Sequence, residues 1–126
     1  MREEPEGAAS ERDDDHGDEG PRRPRLRDDG DRAAWGEPID PNLLEDAIKA
    51  NRDARVVAFV HAETSTGVQS DAKTLIEIAH KYDALTIMDT VTSLAGCPVL
   101  VDEWKADAVY SASQKCLSCT PGLSPV

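Results

Sequence analysis

The chain has 126 residues and a formal net charge of −11, and a chain of this length forms one small domain at most. The negative charge argues against nucleic acid and anionic lipid as partners, because both would repel it. No apolar run approaches the roughly 20 residues of a membrane helix, and the start of the chain lacks the apolar core of a signal peptide.

Residues 1–34 differ in composition from everything that follows. They hold 12 acidic and 7 basic residues, and their only large aliphatic side chains are Met1 and Leu26. Such a segment cannot bury enough apolar surface to offset the entropy of ordering, so we predict a disordered acidic tail. An acidic interaction tail is one interpretation, a solvated run without function is another, and out-of-frame translation of GC-rich DNA would give the same composition. The structured unit is therefore predicted at 35–126.

The first predicted elements are a helix and a strand. Asp40 and Pro41 supply an N-cap and a proline at the first helical position, which predicts a helix that ends near Asn51. Val56–Val60 is a continuous run of β-branched and aromatic residues. Such a run is typical of a strand buried on both faces.

The pattern then repeats. After the polar loop His61–Gly67, a second helix is predicted with Ser70 or Asp71 as its cap and with an apolar side made of Leu75, Ile76, Ala79 and Tyr82. A strand at Leu85–Met88, a short turn at Asp102–Lys105 and a strand at Ala108–Tyr110 complete the chain. This alternation predicts an α/β fold with a parallel sheet.

Polar loops follow all three predicted strands. They are His61–Gly67, Asp89–Ser93 and Ser111–Lys115. Ligands of parallel α/β sheets bind beyond the carboxyl ends of the strands, so these loops predict a site at one edge of the sheet.

Asp89 and Lys115 indicate the chemistry of that site. Each follows a predicted buried strand, and they are separated by 26 positions (115 − 89). Pyridoxal phosphate requires a carboxylate that keeps its ring nitrogen protonated and an amine that forms a Schiff base. An aspartate in this position can also simply cap the next turn, and the hydroxyl-rich loop Thr64–Thr66 can be a loop without function.

Three segments resemble the class V aminotransferases. They are His61-Ala-Glu-Thr-Ser-Thr-Gly-Val, Met88-Asp-Thr-Val-Thr-Ser-Leu-Ala-Gly and Ser111-Ala-Ser-Gln-Lys-Cys, and the similarity is greatest to the alanine–glyoxylate (serine–pyruvate) branch. The resemblance covers Trp35 to Val126. It implies the large domain of a fold-type I pyridoxal-phosphate enzyme.

The resemblance implies a role for five residues. Lys115 would form the Schiff base and carry the proton between substrate and cofactor, and Asp89 would pair with the ring nitrogen. Val91 would pack on one face of the ring. Thr64 would lie beside the phenolic oxygen, and Gln114 would contact the phosphate.

The resemblance also implies partners and missing parts. The reaction would transfer an amino group from a small amino acid, such as alanine or serine, to a 2-oxo acid, such as glyoxylate or pyruvate. The full-length form would be a homodimer. The family's phosphate-binding turn and its substrate-binding arginine are not recognisable here, so we expect a middle fragment of such an enzyme. The alternative is a truncated remnant without activity.

Two other interpretations remain open at this point. Gly67–Thr74 matches the phosphate-loop pattern of NTPases except at Ala72, where the pattern has its second glycine. That glycine lets the backbone wrap the phosphates, and alanine removes this freedom. Cys116 and Cys119 form a C-x-x-C pair, but a zinc site needs four ligands. We therefore predict no metal, and we interpret His61 and His80 as polar edge and helix-surface residues.

Three cysteines without a secretory signal favour reduced thiols and a cytoplasmic protein.

Overall fold

The computed structural model describes residues 34–126, so the predicted tail lies outside the described residues except for Ala34. Three helices and three strands alternate along this stretch: α1 (Pro41–Ala50), β1 (Val56–Val60), α2 (Ala72–Lys81), β2 (Leu85–Asp89), α3 (Val101–Trp104) and β3 (Ala108–Tyr110). The elements confirm the predicted order. Two bounds differ from the prediction: β2 continues one residue further, to Asp89, and α3 is a single helical turn that begins at Val101, one residue before the predicted turn.

Aspartates start the two longer helices. The Asp40 carboxylate accepts a hydrogen bond from the Asn42 amide at 2.8 Å, and Pro41 occupies the first helical position. Asp71 caps α2 by accepting from the Thr74 amide at 3.2 Å, whereas the Ser70 hydroxyl accepts from the amide of Ile39. Within residues 34–126, no helix has the length and apolar content to cross a bilayer.

The three strands form a parallel sheet in the order β1-β2-β3. Val60 lies opposite Asp89, and Asp89 lies opposite Tyr110. This register aligns the carboxyl ends of all three strands. The loops that follow them therefore start from one edge of the sheet.

The core lies on one face of the sheet. Val57, Phe59 and Met88 point to this face, and helix α2 covers it with Leu75, Ile76 and Ala79. Full burial of a side chain such as Leu75 contributes about 1.5–3 kcal/mol. The core therefore depends mainly on the contact between α2 and the sheet.

The other face of the sheet is exposed. Val56, Leu85 and Ile87 are 48%, 57% and 37% accessible to solvent, so β1 and β2 alternate between buried and exposed residues. The prediction that β1 is buried on both faces is therefore wrong for the described part of the chain. An apolar run indicates that both faces of a strand can be covered. The helices of residues 34–126, however, pack on only one face of the sheet.

Candidate functional site

Backbone hydrogen bonds hold the starts of the strand-end loops together. The His61 amide donates to the Asp89 carbonyl at 2.9 Å, and the Thr90 amide donates to the Tyr110 carbonyl at 2.9 Å. These bonds continue the sheet pattern one residue beyond β1 and β2. The predicted meeting of the three loops at one edge is thus present in the structure.

Asp89 is half-buried at the end of β2 and accepts two hydrogen bonds. Its Oδ1 accepts from the Val91 amide at 2.8 Å, and its Oδ2 accepts from the Tyr110 hydroxyl at 2.6 Å. This donation to Asp89 raises the pKa of Tyr110. An ionised carboxylate has about four acceptor positions, so Asp89 can accept a further donor.

Two threonines join the first two loops. The Thr64 hydroxyl, which is exposed after β1, is hydrogen-bonded to the hydroxyl of Thr92, in the loop after β2. The contact places Thr64 at the same edge as Asp89. Val91, half-buried, lies between Asp89 and Thr92 in the chain and donates its amide to Asp89.

Lys115 and Gln114 lie in an exposed turn after β3. Within residues 34–126, the Lys115 amine makes no hydrogen bond or ion pair, which leaves it available to a ligand. The turn is fixed to the loop after β2 by two contacts: the Ser111 hydroxyl donates to the Thr90 carbonyl at 3.1 Å, and the Cys116 thiol donates to the Thr92 carbonyl at 2.9 Å.

Gly96 permits the contact between these two loops. A Cβ at this position would lie 2.5 Å from the Cys116 sulfur and 3.1 Å from its Cβ. Real carbon–sulfur contacts are not this short, so a larger residue at this position would force the Cys116 side chain or the turn that carries it to shift. The sequence alone does not show this requirement, because it depends on a contact between residues twenty positions apart.

His61 lies at the strand-end edge, as predicted, but it is buried there and only 1% exposed. Its Nδ1 is hydrogen-bonded to the Ser93 hydroxyl at 2.9 Å, its Nε2 to the Gln69 amide at 3.1 Å, and its ring packs edge-on against Trp104. Burial lowers its pKa, which favours the neutral ring. His61 therefore connects the loops after β1 and β2.

The structure argues against a phosphate loop at Gly67–Thr74. The Asp71 carboxylate occupies the start of α2, where its Oδ1 accepts from the Thr74 amide and its Oδ2 from the Thr74 hydroxyl at 2.7 Å. A phosphate bound there would need these same donors and would meet a negative charge. The amide and the hydroxyl of Thr74 at this helix start are thus already satisfied.

The two cysteines of the C-x-x-C pair make separate contacts. Cys116 donates to Thr92, whereas Cys119 donates to the Leu117 carbonyl at 3.4 Å. In the part of the chain that the structure describes, no three His, Cys, Asp or Glu side chains form a group suited to a metal ion. His80 is half-buried on α2 and is paired with Asp107 rather than with a cysteine.

Comparison with known sequences gives one consistent family. The sequence profile of aminotransferase class-V matches residues 35–124. The chain is 44% identical over 92 residues to (S)-ureidoglycine–glyoxylate transaminase from Bacillus subtilis (strain 168), a match that covers 73% of this chain and 22% of that protein. It is 38% identical to alanine–glyoxylate aminotransferase from Drosophila melanogaster, covering 75% and 24% of the two chains.

Solved structures share the fold. Alanine–glyoxylate aminotransferase from Nostoc sp. superposes with a TM-score of 0.68 at 43% identity, over 72% of this chain and 24% of that one. Pyridoxamine–pyruvate aminotransferase from Mesorhizobium loti gives 0.68 at 29% identity, over 73% and 24%. The chain thus spans about a quarter of the length of these relatives. The predicted α/β fold with a parallel sheet, of the fold-type I class, is confirmed.

Proposed function

Because the chain belongs to the aminotransferase class-V family, we propose that its strand-end residues form part of a pyridoxal-phosphate site for transamination. One observation supports this most strongly. Asp89 ends β2, the turn that carries Lys115 follows the neighbouring parallel strand β3, and within residues 34–126 the Lys115 amine has no hydrogen-bond partner. When bound, pyridoxal phosphate supplies an aldehyde that reacts with amines and a ring that withdraws electrons from the reacting carbon.

Asp89 is proposed to hold the ring nitrogen. Two donors, the Val91 amide and the Tyr110 hydroxyl, already bond its two oxygens and leave acceptor positions for a third donor. A carboxylate favours a proton on a nitrogen beside it. Asp89 would in this way keep the cofactor ring protonated and electron-withdrawing.

Lys115 is proposed to bind the cofactor covalently and to carry the proton during the transfer. Its turn is tied to the loop after Asp89 through Ser111 and Cys116, so the backbone that carries the amine is packed against the loop that follows the carboxylate. Holding two reactive groups in a fixed relation replaces a collision in solution by a reaction within one complex.

Three further residues are proposed to contact the cofactor. Val91 follows Asp89 by two positions and would pack on the ring. The Thr64 hydroxyl would lie near the phenolic oxygen. Gln114, exposed beside Lys115, offers an amide donor to the phosphate.

The substrates and the assembly are proposed from the relatives. Two of them are named for transfers that involve glyoxylate, and one of these is named for alanine. We propose a small amino acid as donor, a 2-oxo acid such as glyoxylate or pyruvate as acceptor, and a homodimer for the full-length form. Residues 35–126 would then be one part of its large domain, and the activity would belong to the protein that carries this part.

Cofactor binding by the chain itself is testable by absorbance. Pyridoxal phosphate added to the wild-type chain is expected to give the red-shifted band of a lysine-bound cofactor. Lys115→Ala should abolish the band, whereas Lys73→Ala should preserve it, because Lys73 is exposed on α2, where it pairs with Glu77. Equal bands in all three chains would contradict the assignment of Lys115. No band in any of them would favour the interpretation as an inactive remnant.

A further inference from the structure

We propose that Tyr110 is a positioning residue that orients the Asp89 carboxylate toward a ligand at this edge of the sheet. The inference rests on the proposed function in one respect, namely that Asp89 meets the ring nitrogen of pyridoxal phosphate. Tyr110 itself is not among the residues proposed to touch the cofactor.

The register of the sheet creates the contact. Asp89 and Tyr110 are directly opposite each other on neighbouring parallel strands, so their side chains extend from the same face. The Tyr110 hydroxyl reaches Asp89 Oδ2 at 2.6 Å, a length typical of a charge-assisted hydrogen bond. Across residues 34–126, Asp89 has no cationic partner, so its hydrogen bonds come from this hydroxyl and the Val91 amide.

The two donors fix the plane of the carboxylate. One bonds Oδ1 and the other bonds Oδ2, so rotation of the carboxylate about its terminal bond would break at least one of them. With the Val91 contact alone, the carboxylate could pivot around Oδ1. Tyr110 therefore decides in which direction the remaining acceptor positions point.

Tyr110 is itself held in place. Its carbonyl accepts from both the amide and the hydroxyl of Thr90, each at 2.9 Å, and Thr90 is fully buried. A tyrosine has only two side-chain torsions, so little entropy is lost when its hydroxyl is fixed. Its raised pKa agrees with a phenol that donates to a charged carboxylate.

The contact can be tested without cofactor. The chain has two tyrosines, and in the Tyr82→Phe variant Tyr110 is the only one. Its ionisation, followed by the absorbance of tyrosinate, is expected above the ordinary tyrosine range. Adding Asp89→Asn should lower the midpoint toward that range, whereas Asp53→Asn, a change in an exposed turn, should not. If Asp89→Asn leaves the titration midpoint unchanged while circular dichroism shows that the variant is folded, the proposal is overturned.

Positioning can be separated from a general effect on folding with two ligands. One is pyridoxal phosphate and the other is its analogue with a carbon in place of the ring nitrogen. Tyr110→Phe is expected to weaken binding of pyridoxal phosphate roughly threefold to tenfold and to leave the analogue unchanged. Equal weakening of both would mean that Tyr110 only supports the fold, which overturns the proposal. If the wild-type chain binds neither ligand, the proposed function fails, and the tyrosine titration still decides about Tyr110.

Discussion

His61 shows how one buried residue can hold two strand-end loops together. Both ring nitrogens are bonded, to Ser93 and Gln69, and the ring edge contacts Trp104. Replacement by alanine leaves the Ser93 hydroxyl without its partner and opens a cavity. We expect His61→Ala to lower the free energy of unfolding by about 2–3 kcal/mol, measured by urea denaturation. A loss no greater than that of Lys73→Ala would contradict this role.

At the same scale, some site residues were predictable from sequence and others were not. Asp89 and Lys115 follow apolar strands, so their position was visible. The burial of His61 was also visible in principle, because it continues the alternation of Val57 and Phe59. The contact of Tyr110 with Asp89 was not, because it depends on the register between two strands whose paired residues are 21 positions apart.

At the scale of elements, the packing of the loop after β2 against the turn after β3 sets the position of Lys115. Gly96→Ala would place its Cβ 2.5 Å from the Cys116 sulfur. We expect a loss of about 1–3 kcal/mol in unfolding free energy and weaker cofactor binding. Cys116→Ala removes the sulfur and should restore most of both in the double variant. A double variant as impaired as Gly96→Ala alone would show that another contact is responsible.

The elements themselves followed from hydrophobic pattern and capping residues, and their order was predicted correctly. What the pattern could not give is the side of the sheet that the helices cover. Val56 and Leu85 are as apolar as residues of the core, but they are exposed because α1 and α2 lie on the opposite face.

For the whole molecule, the lowered pKa values of two carboxylates predict that acid reduces the stability of the fold. Asp107 accepts hydrogen bonds from His80 and Thr86, and Glu45 accepts from Lys81 and Tyr82; each has its pKa lowered to about 2. Because these values lie below those of the unfolded chain, the stabilisation is complete above about pH 4.5 and is lost as the pH falls toward 2. We expect the urea midpoint to fall over that range, and Asp107→Asn to flatten the profile. A profile unchanged by Asp107→Asn, and equal to that of Asp53→Asn, would contradict this.

The family and the fold class of the whole molecule were predictable because three motifs occur in order along 92 residues. The full extent of the site was not predictable, because the chain spans only about a quarter of the length of its relatives. The acidic segment 1–34 stays a prediction from composition.

The proposal that Lys115 binds the cofactor covalently is tested most directly by finding the residue to which pyridoxal phosphate attaches. The wild-type chain would be incubated with pyridoxal phosphate, reduced with borohydride and digested, and the modified residue located by mass spectrometry among its five lysines and the amino terminus. We predict that modification is concentrated on Lys115 and falls when Asp89 is replaced by Asn. Modification spread over the exposed lysines, Lys73 and Lys81 included, would contradict it.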